Sequence, residues 1–342
     1  MLGREMVVAR FLAVIAFAAL LAIAPIATAG PALLFEPLSG GVLYAEDVDT
    51  LWHPASLTKI MTAYVTFVAI RDGTITLDTK VECSKLANSQ GPTKVGLPVG
   101  ATLTVETALQ ALIMKSANDV AVMLAEAVSG SHEAFVDYMN GTAGRLGMTR
   151  TKFANANGLP DHDQVTTARD MAKLAAAVVR DFPQYAYLWS MLEMRVGKLH
   201  LHTHNGLLTN YPGGDGMKTG FICDSGFNVV ASATREGRKL IAVVLGETTA
   251  RDRSVRAANM LEHGFQTYGW KLLFGPPTLD TLALDENAKV TVSKPARVIS
   301  AVCGTAGPAV AKARRHNVVA GANQVRHTHA KTAVAKVARK SR

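Results

Sequence analysis

The chain has 342 residues, of which 36 are Lys or Arg, 27 are Asp or Glu, and 49% are hydrophobic. This composition excludes wholesale disorder, and the length allows one large domain or two smaller ones. The formal net charge of +9 is concentrated at one end, because Lys294 to Arg342 holds 11 basic and no acidic residues and everything before it sums to −2, so the high pI gives no reason to expect a nucleic acid partner for the body of the chain.

Met1 to Ala29 has the pattern of an export signal. Arg4 and Arg10 lie in a basic start, Phe11 to Ala24 is apolar, and Ala27-Thr28-Ala29 is a small-residue cleavage site. The apolar stretch falls short of the ~20 residues of a spanning helix. The expected address is therefore the periplasm or cell envelope, with a peripheral membrane association left open. Leu33 to Phe35 and Val42 to Glu46 read as strands joined through Ser39-Gly40-Gly41. Leu57, Ile60, Met61, Tyr64, Val65 and Val68 recur at helical spacing, with Pro54 ahead of them and Gly73 closing, which predicts a buried helix.

Residues 74–103 are punctuated by Gly, Pro and Thr, as loops and short strands are. Thr104 caps a helix predicted over Val105 to Met114, Lys115-Ser116 breaks it, and a second helix runs from Asn118 to Val128 up to Gly130. Further helices are expected over Ser131 to Gly147 and Thr167 to Asp181, separated by a loop from Asn155 to Thr166. Thr167 and Asp170 resemble a capping box. Val229 to Thr234 and Lys239 to Leu245 flank Glu236-Gly237 as an antiparallel hairpin, and residues 254–274 form a last helix. Strands at both ends with helices between them predict an α+β fold, an antiparallel sheet flanked by helices. Beyond Phe274 there is no aromatic residue. Leu282 to Leu284 and Lys289 to Val292 are candidate strands, and the rest is expected to be a basic, mostly disordered tail. The resulting division is a signal peptide over 1–29, a catalytic domain over 30–275 and a C-terminal extension over 276–342.

Three short motifs carry the candidate chemistry. Ser56-Leu57-Thr58-Lys59 sets an ammonium three residues after a hydroxyl at the start of the buried helix, where both share a face. That is the arrangement of a Ser nucleophile with a Lys base. Ser116-Ala117-Asn118 lies at a helix break, where a hydroxyl can relay a proton and an amide can hold a carbonyl or the Lys. Lys218-Thr219-Gly220 opens a predicted strand. A Lys and a Thr there can bind a carboxylate, while the Gly lets a substrate backbone lie against the strand. Taken singly these are a helix cap, a solvated Lys and an edge-strand Lys. Each motif occurs once, and the three come in order.

That order resembles the penicillin-recognising serine acyl transferases. The surroundings are similar to one branch of them, the low-molecular-mass penicillin-binding proteins that act as D-alanyl-D-alanine carboxypeptidases. The likeness covers residues 32–274 and includes His53-Pro54-Ala55-Ser56-Leu57-Thr58-Lys59, Ser116-Ala117-Asn118-Asp119, Asn155-Ala156-Asn157-Gly158-Leu159, Asp215-Gly216-Met217-Lys218-Thr219-Gly220 and Gly226-Phe227-Asn228-Val229-Val230.

The resemblance implies a DD-peptidase/β-lactamase-like fold and a two-step acyl transfer on a peptidoglycan stem peptide. Ser56 is the implied nucleophile and Lys59 its base. Ser116 serves the departing D-alanine, and Asn118 positions the donor carbonyl and Lys59. The backbone N–H groups of Ser56 and Phe221 form the implied oxyanion hole, and Lys218, Thr219 and Arg253 hold the terminal carboxylate. β-Lactam antibiotics are implied inhibitors, and no cofactor or metal is expected. Phe221 departs from members with His at that position, which bears on substrate preference. The 68 residues after Phe274 are too few for the β-rich second domain and amphipathic helix of the usual members. Rival readings are a β-lactamase-like hydrolase and a catalytically silent peptidoglycan-binding protein that works through its tail. The first has no Glu in the segment from Asn155 to Thr167, which offers only Asp161 and Asp163.

The tail reads as a solvated linker or as a contact for an anionic envelope surface. Its His316, His327 and His329 give only a weak metal signal. Cys83, Cys223 and Cys303 are too few for a disulfide framework and fit no zinc spacing, while a Cys83 to Cys223 bond stays open in an exported chain.

Overall fold

The computed structural model describes residues 30–273 and 275–288, with the isolated positions 292 and 303. The expected export signal, the run beginning at Lys289 and the basic tail with its histidines lie outside the described residues. The described body belongs to a compact unit that ends at Ala296.

Strands β1 (Ala32–Phe35) and β2 (Val42–Glu46) pair antiparallel. A 3-10 turn, Ala55–Leu57, leads into α1 (Thr58–Arg71), which is buried on every side from Thr58 to Ala69. A helix apolar all round belongs inside a core, and two of the three threonines on α1 are paired: Thr66 Oγ1 donates to the Thr62 carbonyl at 2.8 Å and Thr62 Oγ1 to the Ala156 carbonyl at 2.6 Å, while the buried Thr58 Oγ1 has no hydrogen-bond partner among the described residues. Strand β3 (Lys80–Glu82) is followed by α2 (Lys85–Ser89) and pairs with β4 (Thr102–Thr104). Thr104 then caps α3 (Val105–Gln110), its Oγ1 accepting from Thr107 N at 3.2 Å.

The helix expected up to Met114 instead widens into a π turn over Ala111–Lys115. Beyond the break come α4 (Asn118–Ser129), ended by Gly130 at φ +78°, then α5 (His132–Arg145) and α6 (Ala168–Asp181). The cap on α6 is one-sided. Thr167 Oγ1 accepts from Asp170 N, but the Asp170 carboxylate accepts from Arg150 N and Thr151 Oγ1. Next come α7 (Ala186–Trp189), a hairpin of β5 (Glu193–Val196) and β6 (Leu199–His202) where no element was expected, and α8 (Leu207–Asn210). The long strands β7 (Gly214–Ile222), β8 (Gly226–Arg235) and β9 (Arg238–Glu247) precede α9 (Ala250–Leu273). Glu236 and Gly237 both have positive φ, the two-residue turn that matches strand twist.

The main sheet has the order β2-β1-β9-β8-β7, antiparallel throughout, so the first strands of the body pair with the last long strand and β7 forms an edge. Alternation assigns its two faces. Leu33, Phe35, Val230, Ile241, Val243 and Leu245 pack with α1, α4 and α6 in the larger core. Leu34, Val229, Ala231, Leu240, Ala242 and Val244 face Ala257, Met260 and Leu261 of α9. Gly264 lets α9 settle there, since a Cβ would stand 2.7 Å from Leu34 Cδ2.

One expectation is corrected and one open alternative is closed. Leu282 to Leu284 form no strand, because their carbonyls serve a side chain instead: Arg169 donates to the Leu282 and Ala283 carbonyls at 2.8 Å each while gripping Asp49 at 2.6 and 2.8 Å. Residues 277–279, assigned to the extension, are likewise bonded to the body through Val42 N to the Pro277 carbonyl and Leu279 N to the Gly40 carbonyl. The Cys83–Cys223 bond does not form, since Cys83 is a buried free thiol and Cys223 is disulfide-bonded otherwise.

Candidate active site

Ser56 occupies the 3-10 turn just ahead of α1, and Ala55 before it holds a strained φ of +49°. Three contacts fix that turn. Asn228 on β8 donates from Nδ2 to the His53 and Pro54 carbonyls, and its Oδ1 accepts from Gly246 N at 2.9 Å. Gly158 lies so close that a Cβ would fall 2.0 Å from the Ala55 carbonyl oxygen. Gly220 on β7 approaches from the third side, where a Cβ would meet the Pro54 oxygen and Ser56 N at 3.1 Å each. The missing side chain of Gly220 thus admits the protein's own nucleophile turn.

Lys59 is fully buried one turn on, with Nζ 3.1 Å from Ser56 Oγ. Nζ donates to Asn118 Oδ1 at 2.6 Å and to the Asn157 carbonyl. Both of those partners only accept. A neutral amine satisfies them with its two N–H groups and turns its lone pair towards Ser56 Oγ, as a base must. The Lys59 pKa is held well below the ordinary lysine value, first by burial and then by the Lys218 charge, against an opposing pull from Asp119.

Ser116 sits between the π turn and α4 in the left-handed region, φ +62°, and is buried. Its hydroxyl does not cap α4, which starts from Ala117 without a side-chain cap. Asn118 is oriented from both ends, because Nδ2 donates to the Gly91 carbonyl at 3.0 Å. The buried Asp119 carboxylate accepts from Val95 N and Gly96 N at 3.1 and 2.8 Å, holding the preceding loop against α4.

Lys218, Thr219, Gly220 and Phe221 run from the middle of β7 to its penultimate residue rather than lying at its start. This edge strand packs against both the Ala55–Leu57 turn and the Ala111–Lys115 turn, so all three motifs converge on it. Lys218 Nζ donates to the Thr219 carbonyl at 2.9 Å, and burial followed by the charge of Arg253 lowers its pKa to about 7. Arg253 on α9 is buried with its guanidinium 5.9 Å from the Phe227 ring centre, and burial lowers its pKa to about 10. Its Nε has no hydrogen-bond partner among the described residues. The neighbouring Arg256 is committed elsewhere, to Glu46 and Glu247 at 2.9 Å each. Phe221 stacks obliquely on Phe227, ring centres 4.3 Å apart.

Three contributors went unassigned in the sequence. The Asn157 carbonyl and Asp119 lay inside quoted motifs but had no role there. His204, after β6, has its pKa lowered by burial first and then by the charges of Lys115, Lys218 and Arg253, which places it in the field of the same cations. The arrangement offers a buried base against a hydroxyl, and beside it the buried Lys218 and Arg253, neither paired with a carboxylate among the described residues.

Residues 19–249 match the family model described as D-alanyl-D-alanine carboxypeptidase, peptidase S11. The D-alanyl-D-alanine carboxypeptidase DacA of Haemophilus influenzae is 36% identical over 249 residues, which are 71% of this chain and 63% of that protein, so the chain spans less than two thirds of its relative's length. Penicillin binding protein 5 from Haemophilus influenzae superposes with a TM-score of 0.67 at 36% identity, covering 71% of this chain and 72% of that one. Penicillin-Binding Protein D2 from Listeria monocytogenes in its cefotaxime-bound form gives 0.64 at 29% identity, covering 69% of this chain and 97% of that one. With the three motifs gathered at one sheet edge and the family model spanning most of the chain, the protein belongs to the peptidase S11 family of D-alanyl-D-alanine carboxypeptidases, the low-molecular-mass penicillin-binding proteins.

Proposed function

We propose that the protein is a serine-type D-alanyl-D-alanine carboxypeptidase that removes the terminal D-alanine from peptidoglycan stem pentapeptides through an acyl-enzyme on Ser56. The observation that carries this reading is Lys59 Nζ, buried 3.1 Å from Ser56 Oγ with its other two neighbours both acceptors.

Ser56 Oγ attacks the carbonyl between the two D-alanines as its proton passes to Lys59. The oxyanion develops at the backbone N–H groups of Ser56 and Phe221, the second supplied by an edge strand with one row of unpaired donors. Asn118 keeps Lys59 in place and aligns the donor carbonyl. The C–N bond breaks as Ser116 passes a proton to the leaving amine and takes its replacement from Lys59, which becomes neutral again. Lys218, Thr219 and Arg253 take the terminal carboxylate, which supplies the anion that their burial leaves wanting. Water then attacks the ester, Lys59 takes its proton, and Ser56 is regenerated.

β-Lactams are proposed to acylate Ser56, in keeping with the antibiotic-bound Listeria monocytogenes relative. Turnover of the adduct should be slow, since Asp161 and Asp163 are exposed and Asp163 pairs with Lys152 at 3.0 Å. The signal pattern of Met1 to Ala29 supports export to the periplasm or cell envelope, and the tail is proposed to meet an anionic surface there. The test is incubation of the mature protein with a stem pentapeptide. Free D-alanine that penicillin abolishes, with the adduct mapped to Ser56, is expected; no D-alanine, or an adduct elsewhere, refutes the proposal. Rapid nitrocefin hydrolysis would point instead to a β-lactamase.

A further inference from the structure

The β5–β6 hairpin has a two-residue turn at Gly197-Lys198 and pairs Glu193 with His202, Met194 with Leu201, Arg195 with His200 and Val196 with Leu199. Met194 and Leu201 are buried, so Glu193, Arg195, His200 and His202 face the other way, towards solvent. On that face His200 Nε2 is 3.0 Å and His202 Nδ1 3.9 Å from the same oxygen, Glu193 Oε2. The two imidazole centres are 4.4 Å apart, and the three ligand atoms all lie within 4.8 Å of one another.

We propose that Glu193, His200 and His202 form a binding site for one zinc-class divalent cation on the exposed face of this hairpin. Imidazole nitrogen and carboxylate oxygen bind Zn2+ at ~2.0–2.2 Å, which for a tetrahedral ion separates the ligand atoms by about 3.3 Å. The observed 3.0 and 3.9 Å bracket that value, so small side-chain rotations complete the set. A hydrogen bond to the carboxylate needs only one histidine, whereas here two converge on one oxygen through different ring nitrogens, His200 by Nε2 and His202 by Nδ1. The strands fix the spacing, since His200 and His202 are two apart on one face and Glu193 lies directly across from His202. The donor set of two imidazoles and one carboxylate selects Zn2+, Cu2+ or Ni2+ over Mg2+ or Ca2+, which take oxygen ligands. Water fills the remaining position. Arg195, opposite His200 on the same face, works against a dication and sets a limit on affinity.

The test is a calorimetric titration of Zn2+ into the full mature chain carrying His327→Ala and His329→Ala, which removes the H-x-H pair of the tail. About one bound Zn2+ per chain is expected, with Glu193→Gln and the pair His200→Ala/His202→Ala each weakening binding at least tenfold, the loss seen even for groups that only support a ligand. Arg195→Ala should tighten it. Penicillin labelling of Ser56 checks that each variant is folded, and Glu193→Gln, which keeps the shape of the hairpin, carries the test should the histidine pair fail that check. No Zn2+ uptake in the tail variant, or uptake indifferent to Glu193 and the two hairpin histidines, overturns the proposal.

Discussion

Lys59 illustrates how a residue is made into a base by what it lacks. No carboxylate bonds to it among the described residues, two carbonyls occupy its N–H groups, and the like charge of Lys218 outweighs the opposing pull of Asp119. Acylation requires the unprotonated amine, so its rate rises as pH passes upward through the depressed Lys59 pKa. Lys218→Gln removes a charge that lowers this pKa. Lys59 then keeps its proton to higher pH, and the acid limb of the penicillin acylation rate, followed by stopped flow, should move upward as the rate itself falls. An acid limb that stays in place would remove the coupling of the two amines. Lys59→Ala should lose at least ~100-fold in rate and abolish that limb, the contribution of a positioned general base. Here the sequence was informative, because three residues along a helix put Ser56 and Lys59 on one face whatever the rest of the fold does. The Asn157 contact was not legible, since a backbone carbonyl is common to every residue type.

Between elements, the loop from Asn155 to Leu159 is what holds α1 to its task. It accepts from Thr62 through Ala156 and from Lys59 through Asn157, and it abuts Ala55 through Gly158. Gly158 has φ +82°, and a Cβ there collides with backbone, which cannot swing aside. Gly158→Ala should therefore displace the Ser56 turn, cost about 1–3 kcal/mol as overpacked sites do, and slow acylation. Urea unfolding and penicillin labelling measure the two effects, and a variant with native values in both would show that the loop bears no such load. The break at Ser116 was legible as a helix interruption, although the π turn that precedes it carries no marker in the apolar pattern. The β5–β6 hairpin has the alternation of Met194, Val196, Leu199 and Leu201 about Gly197-Lys198, a signal available in the sequence and not used. Leu282 to Leu284 show the converse, a strand-like alternation overridden because a buried Arg169 needed their carbonyls.

At the scale of the whole molecule, the sheet joins residues from both ends of the body, and the Asp49–Arg169 pair fastens the segment after α9. Burial alone would raise the Asp49 pKa, but the Arg169 hydrogen bonds, the Asp285 amide and the Arg169 charge outweigh it and leave the carboxyl below its usual value. A lowered carboxyl pKa contributes stability that is complete above the unfolded-state value and is lost as pH falls through the folded one. Asp49→Ala leaves a buried guanidinium without its anion and should cost about 3–5 kcal/mol. Thermal unfolding reads that loss, and proteolysis within residues 275–288 should accelerate. An unchanged melting temperature would show that the backbone carbonyls alone satisfy Arg169. The pairing of Gly40 and Val42 with residues 277–279 also lays the start of the segment after α9 beside β2, at the sheet edge opposite β7. Four strand spacings of ~4.8 Å separate β2 from β7, so that stretch lies roughly 19 Å from the catalytic edge. A fluorophore coupled to a cysteine in Asp280→Cys, an exposed position on this segment, would thus leave the cleft open to a polymer as bulky as the cell wall, making this stretch the natural place to attach a reporter.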